Sequence, residues 1–375
     1  MENFLDQAEE DLHTFLCDNK QHENYRGLDC DRDTEKEVET TIRFFPEVLS
    51  RQKEIVWFGD DDEDDEENVE DSIYPIQLLA PALHNGGQCI CNLKAASFIP
   101  LVARLAIEFN CFDEEFRGGL LCEDFIDGNV LNNLMLSDPA NRNNREHLEH
   151  TDDTYLLVLL KLRKIGLLKK EDIQRYELLK QLANLNYFAD KRFRFLVEWD
   201  PNALIQTSED GWVPLYYSST HIQGFQLVFE YGIRYFPKKK GIHLLFRKND
   251  NCDDWTPFNL ACFNYGHEHV MEVVEDTLAR YYTSSDSTPP LNIEEALITA
   301  AIDENIHIDG VYFLIRRQPD ILQKLLSSSS SSSSSMTGGN ENNNDNNDDK
   351  NDKLEKTKTN SKRRKRKEKM KDDDY

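Results

Sequence analysis

Four cysteines, Cys89, Cys91, Cys111 and Cys122, and the grouping His267-Glu268-His269 with Glu272 carry the side chains best suited to hold a metal ion. Structural zinc sites set four thiolates or imidazoles at tetrahedral corners, and paired cysteines usually have two residues between them so that both sulfurs fold toward one ion. Cys89 and Cys91 have one residue between them, which predicts free thiols. His267 and His269 point to diverging helical faces, and no His-Glu-x-x-His is present. His84 and the stretch His147 to His150 show no ligand spacing either. Gly86-Gly87 and Gly118-Gly119 lack the Gly-x-Gly-x-x-Gly or Walker lysine context that cradles a phosphate, and read as turns between helices. With no Gly-x-Ser-x-Gly elbow and no Cys/His pairing, nothing marks a nucleophile. The expectation is a protein that is not an enzyme, with no catalytic residues, metal or cofactor.

The residues that remain are suited to recognition. The segments Asp210-Gly211-Trp212-Val213-Pro214-Leu215 and Asp254-Trp255-Thr256-Pro257-Phe258 match each other, with their prolines 43 residues apart. Trp212 and Trp255 occupy the same place in both, and Tyr216 and Asn259 each follow four residues later. Two readings of the tryptophans stay open: anchors for a protein partner, or packing between successive units. The other recognition signal is Lys362-Arg363-Arg364-Lys365-Arg366-Lys367, opening a ten-residue stretch to Lys371 in which eight side chains are cationic. A nuclear-import signal read by an import receptor is the favoured reading, with an incidental polar tail and contact to nucleic acid as the rivals.

Charge and composition set these motifs in three zones. The chain of 375 residues has a formal net charge of −26 and 39% apolar residues. Residues 1–72 hold 25 acidic and 7 basic side chains, 73–326 hold 35 and 25, and 327–375 hold 10 and 12. An acidic body argues against a globular nucleic-acid binder, which needs clustered Lys and Arg. The first zone carries the acidic run Asp60 to Glu67, expected to be a solvated loop. The last opens with nine serines and has four apolar or aromatic residues, too few to offset the entropy of ordering a chain, so a disordered tail is expected. The N-terminus lacks the basic and apolar regions of a secretory signal. The longest apolar run, Tyr155 to Leu160, is far below the roughly 20 residues that cross a bilayer. No membrane association and an intracellular location, nucleus or cytoplasm, are therefore expected.

The elements that must position these residues read as helices almost throughout. Phe4, Leu5, Ala8, Leu12, Phe15 and Leu16 share one helical stripe, as do Ile99, Val102, Leu105, Ala106 and Phe109. Further helices are expected at 155–165, 173–187 and 193–199, and no alternation long enough for a sheet is found. A proline element recurs as Phe45-Pro46-Glu47-Val48-Leu49, Asp200-Pro201-Asn202-Ala203-Leu204 and Gln318-Pro319-Asp320-Ile321-Leu322. At 256–278 the local logic is complete: Thr256 caps, Pro257 takes the first helical position, Gly266 stops the helix, and Val270 to Leu278 form a second stripe.

The stretch Trp255-Thr256-Pro257-Phe258-Asn259-Leu260-Ala261-Cys262, followed by Gly266-His267, resembles an ankyrin repeat, whose signature is Thr-Pro-Leu-His-x-Ala. In that frame the preceding unit opens at Gly211 with its second helix at 225–231 closed by Gly232, and a following unit has helices at 296–301 and 311–315. Val213 stands in place of the capping Thr, Asn259 in place of the His, and spacings near 40 exceed the usual 33. The surplus after Gly232 reads as an inserted amphipathic helix or helix-bearing loop. The whole is similar to the uncharacterised ankyrin-like proteins expanded in diatoms. That resemblance implies an all-α solenoid of degenerate ankyrin-like helix-turn-helix repeats at 73–326, clearest at 188–326, between an acidic helical segment at 1–72 and the disordered tail at 327–375. It implies a non-catalytic scaffold that binds a protein partner on its concave face, with Trp212, Tyr216, Trp255 and Asn259 as the contact residues.

Overall fold

The computed structural model describes residues 2–18, 25–57, 69–83, 89–123, 128–137, 144–183, 187–237, 240–249, 255–283 and 292–331. The acidic run Asp60 to Glu67 and the basic cluster Lys362 to Lys371 lie outside them. The chain divides into two units, Met1–Gln323 and Lys324–Tyr375. The helix Pro319–Ser331 crosses that division and takes in the first five serines of the run expected to open the tail.

Helices dominate the described residues, and several start where a cap and an apolar stripe coincide. Thr34 closes a capping box with Glu37 at the head of Glu35–Phe44, which buries Val38 and Ile42. Asn144 caps the twenty-residue Arg145–Lys164, which buries Tyr155, Val158, Leu159 and Leu162 and starts ten residues before the stretch expected from its apolar run. The helix expected over 173–187 is instead two short ones, Lys170–Arg175 and Leu178–Ala183. Glu177 breaks them with a φ of 48°, a left-handed conformation no helix interior adopts.

The expectation of no sheet needs correction. Lys53–Trp57 pairs antiparallel with Val69–Ile73, Lys53 opposite Ile73 and Trp57 opposite Val69. A second pair joins Pro81–Leu83 to Cys89–Cys91. Ile55, Val56 and Trp57 are β-branched or aromatic, yet five residues are too few for alternation to stand out. Gly86-Gly87 thus falls between two strands, not between helices, in a connection outside the described residues.

A buried ion pair fixes the middle of the chain. Ala189, at the head of the helix Asp190–Trp199, has no side chain able to cap it. Asp152, from Arg145–Lys164, does so from across the interface: its carboxylate accepts from the backbone N–H of Lys191 at 2.9 Å and of Arg192 at 3.2 Å. The same carboxylate accepts from Arg192 Nε at 2.8 Å, and Arg192 is fully buried. The guanidinium also donates to the Leu134 and Leu136 carbonyls at 2.6 and 2.9 Å.

From there the chain runs through helix pairs. Pro214–Ser218 packs on Ile222–Tyr235, Pro257–Tyr265 on His267–Thr283, and Ile293–Ile302 on Ile308–Arg317. The first two pairs stack like on like, first helix against first and second against second. Thr256 caps as expected, accepting from Asn259 N–H at 3.1 Å with Pro257 in the first turn, and Gly266 ends the helix with a φ of 82°. Gly232 does not end its helix, which continues to Tyr235. Its missing Cβ serves packing, since a Cβ there would sit 2.9 Å from Leu244 Cδ1 and one on Gly241 would sit 2.5 Å from the Gly232 carbonyl oxygen. That contact draws in Lys240–His243 and Leu244–Phe246, expected as an amphipathic insertion but buried at Ile242, Leu244, Leu245 and Phe246. The third pair makes its main contacts with this segment: Ile293–Ile302 packs on Lys240–His243, and Ile308–Arg317 on Leu244–Phe246.

The proline elements share one backbone form. At Phe45, Asp200 and Gln318 the φ lies between −132° and −143°, and the amide donates to the carbonyl four residues back at Asp200 and Gln318 and three back at Phe45. The following proline opens a new turn, because a residue before proline is pushed out of helical geometry. Phe236-Pro237 is a fourth copy, with φ −127° and the same amide bond, to Gly232.

Candidate functional site

Thr256 and Pro257 aim the first turn of Pro257–Tyr265 so that Phe258 is buried while Asn259 and Cys262 remain half-buried. Phe258 packs on Phe246 with ring centres 5.3 Å apart, and Phe313 of Ile308–Arg317 packs on Phe246 at the same distance. These three rings, with Met271, floor a cavity of about 430 Å³ between the second and third helix pairs. Its polar wall is Asn259, His267, Glu275, Asp309, Arg316 and Arg317. Since the third pair rests on 244–246, its second helix leaves this gap beside His267–Thr283.

The electrostatics of the gap are uneven. Arg317 pairs with Glu275 across it, and Asp309 sits 3.2 Å from His307. Arg316 is exposed and has no ion-pair partner among the described residues. Tyr312, one helical turn before it, is 59% exposed and lines the same cavity. Burial pushes the Cys262 thiol up to about 11, so this wall presents a neutral sulfur at ordinary pH. The arrangement can take an apolar group on the aromatic floor and a carboxylate at Arg316.

The four expected contact residues are not gathered at one point. Trp212 and Tyr216 stack on each other, ring centres 3.6 Å apart and planes 10° from parallel, either side of Pro214. Trp212 is half-buried, and with Leu179, Lys180, Ala203 and Pro214 it lines a void of only about 20 Å³. It therefore packs on the preceding elements. Trp255 is 40% exposed and meets Phe263, itself 76% exposed, edge to face at 5.9 Å. Asn259 alone of the four lines the 430 Å³ cavity. Phe263, Tyr312, Phe313 and Arg316 escaped the sequence reading. Tyr312 and Arg316 carry an i, i+4 signal, but it becomes legible only when the buried face of Ile308–Arg317, marked by Gly310 and Leu314, is known.

Cys91 and Cys122 are buried and Cys111 half-buried, none of the three in a disulfide. His267 is exposed at the start of His267–Thr283, and His269 lies 3.7 Å from Glu272. The import candidate Lys362, Arg363, Arg364, Lys365, Arg366 and Lys367 lies outside the described residues. No helix among the described residues is long and apolar enough to cross a membrane. No known protein family matches the chain, nor does any curated protein or solved structure.

Proposed function

We propose that the protein is a non-catalytic recognition scaffold, a degenerate ankyrin-like array that binds a protein partner along its C-terminal helix pairs. The observation that carries this reading is the cavity beside Asn259, with its aromatic floor, its exposed Tyr312 and Arg316, which has no ion-pair partner among the described residues. Exposed apolar side chains cluster in the same elements: Trp255, Phe263, Ile298, Ile302 and Ile308 are each at least 40% exposed. Exposed apolar side chains near charged groups often belong to partner surfaces, and aromatic and Arg side chains dominate binding energy there. The stacking of the first two pairs, like helix on like, supports the repeat reading. In this scheme the basic tail directs the protein to the nucleus through an import receptor.

The test uses the full chain in three forms: wild type, Arg316→Glu with Tyr312→Asp, and a form with the cations of Lys362 to Lys371 changed to Gln. Bound proteins are compared by quantitative mass spectrometry. The scaffold reading expects one partner set to survive tail neutralisation and to be lost with the cavity substitutions. Binding that follows the tail instead, with a steep loss on adding salt, would identify a nucleic-acid-associated factor and overturn it.

A further inference from the structure

The helix Glu2–Cys17 is covered along only half of its apolar stripe. Leu5, Leu12 and Leu16 fall within one narrow arc of the helix, with Phe4, Ala8 and Phe15 along its edge. From Leu12 onward the stripe is docked: Leu12 is 8% exposed and Leu16 2%. Two turns earlier it is bare, with Leu5 49% and Phe4 73% exposed. A single exposed apolar side chain needs no explanation, but an adjacent Phe and Leu that continue a buried stripe make one surface.

The docked half shows what chemistry covers this stripe. Its floor is apolar: the helix packs on the turns Pro46–Leu49 and Pro75–Leu78, which bury Val48, Leu49, Ile76 and Leu78. Its rim is cationic. Arg51 pairs with Glu10 at 2.5 Å and lies 3.9 Å from Glu9, and Lys53 Nζ donates to the Cys17 carbonyl at 3.0 Å. Arg32 lies over the Phe15 ring, 5.8 Å from its centre. The helix itself contains no Lys or Arg. Asp11 flanks the bare half on the Phe4 side and Glu9 on the Leu5 side. Asp11 has no ion-pair partner among the described residues. The bare half therefore lacks both things that the docked half has, an apolar floor and cations beside it.

We propose that the first half of this helix docks a basic amphipathic helix of a partner protein. The partner's apolar face covers Phe4, Leu5 and Ala8, and its Lys or Arg side chains meet Asp11 and the loosely paired Glu9. A helical occupant is favoured because Leu5, Ala8, Leu12 and Phe15 follow the three-four alternation of a helix-on-helix seam. A second copy of this chain does not fit. It would bring the same carboxylates, and residues 1–72 hold 25 acidic against 7 basic side chains, so the two surfaces repel. This surface shares no residue with the cavity beside Asn259 and goes beyond the role assigned there.

The test uses the full chain and a fluorescent peptide of about 18 residues, five helical turns, in which leucines form one face and lysines the rest. Binding is followed by fluorescence anisotropy at physiological salt, beside a peptide with the same lysines and serine in place of each leucine. The Leu/Lys peptide should bind at least about tenfold more tightly than the Ser/Lys peptide. Phe4→Asp with Leu5→Asp should weaken the Leu/Lys peptide at least about tenfold. Carboxylates in the first turn of a helix are favourable, so circular dichroism of this variant should match the wild type. Asp11→Lys should also weaken binding, while Phe44→Asp, at another exposed aromatic residue, should not. No binding, equal binding of the two peptides, or equal loss with Phe44→Asp would each overturn the proposal. So would binding that survives Phe4→Asp with Leu5→Asp, or a wild-type dimer in sedimentation velocity that this variant dissociates.

Discussion

Removing Asp152 should destabilise the protein through a charge and not through lost packing. Asp152→Ala takes away the only carboxylate on Arg192 among the described residues; the guanidinium is fully buried, and its Nη2 has no hydrogen-bond partner there. Breaking a buried pair from one side costs about 3–5 kcal/mol, because the remaining charge cannot reach water. The two helix N–H groups that Asp152 caps add about 1 kcal/mol. Against the roughly 5–15 kcal/mol that folded domains possess, this is a large share. Asp152→Asn keeps an acceptor and loses the charge, so its loss should be smaller, about 1.5–3 kcal/mol. The decisive form is the double variant Asp152→Ala with Arg192→Met. If the cost is an uncompensated charge, replacing the arginine with an apolar side chain restores about 2 kcal/mol or more relative to Asp152→Ala alone. Urea unfolding followed by far-ultraviolet circular dichroism measures all three. A single variant within about 1 kcal/mol of wild type, or a double variant no more stable than the single, refutes the reasoning.

Two glycines should separate steric clash from backbone strain. Gly266→Ala meets no neighbour but must hold a φ of 82°, costing about 1–3 kcal/mol, whereas Gly241→Ala drives a Cβ to 2.5 Å from backbone and should lose more in the same urea assay. The Asp33 carboxyl is held below its usual 3.8 by the Arg32 guanidinium, with burial opposing. Its stabilisation is complete above 3.8 and is lost as pH falls through the lowered native value, so the wild-type urea midpoint should drop more steeply below about pH 4 than that of Asp33→Asn. Burial lowers the His13 imidazole from 6.5, the Arg51 carbonyl opposing. The unfolded chain then takes up the proton first, and stability should decline as pH falls below 6.5 toward the native value, a slope that His13→Gln should reduce.

Local chemistry was the legible part of the fold. The Thr256-Pro257 start and the Gly266 stop needed only neighbours within a turn, and both appear where the residue types put them. Gly232 misled because glycine serves two purposes: its sequence context fits a helix stop, while its use is a close approach to Gly241, visible only in three dimensions. The same limit hid the Asp152 cap, which acts on a helix about forty residues away through a side chain that reads as ordinary surface charge. Phe236-Pro237 was read as part of an insertion, although its backbone repeats that of the other proline elements. Trp212 and Trp255 look equivalent in sequence, yet one is packed and the other exposed, since burial depends on what precedes each unit.

The central claim, recognition at the cavity beside Asn259, is tested most directly by photo-crosslinking from a benzoylphenylalanine placed at Tyr312 of the full chain. A matched probe at Leu157, 60% exposed on Arg145–Lys164, serves as the comparison. The account predicts one protein adduct from position 312 that is absent from 157, persists when the cations of Lys362 to Lys371 are neutralised, and disappears with Arg316→Glu. Equal adducts from both positions, or an adduct indifferent to Arg316→Glu, would contradict it.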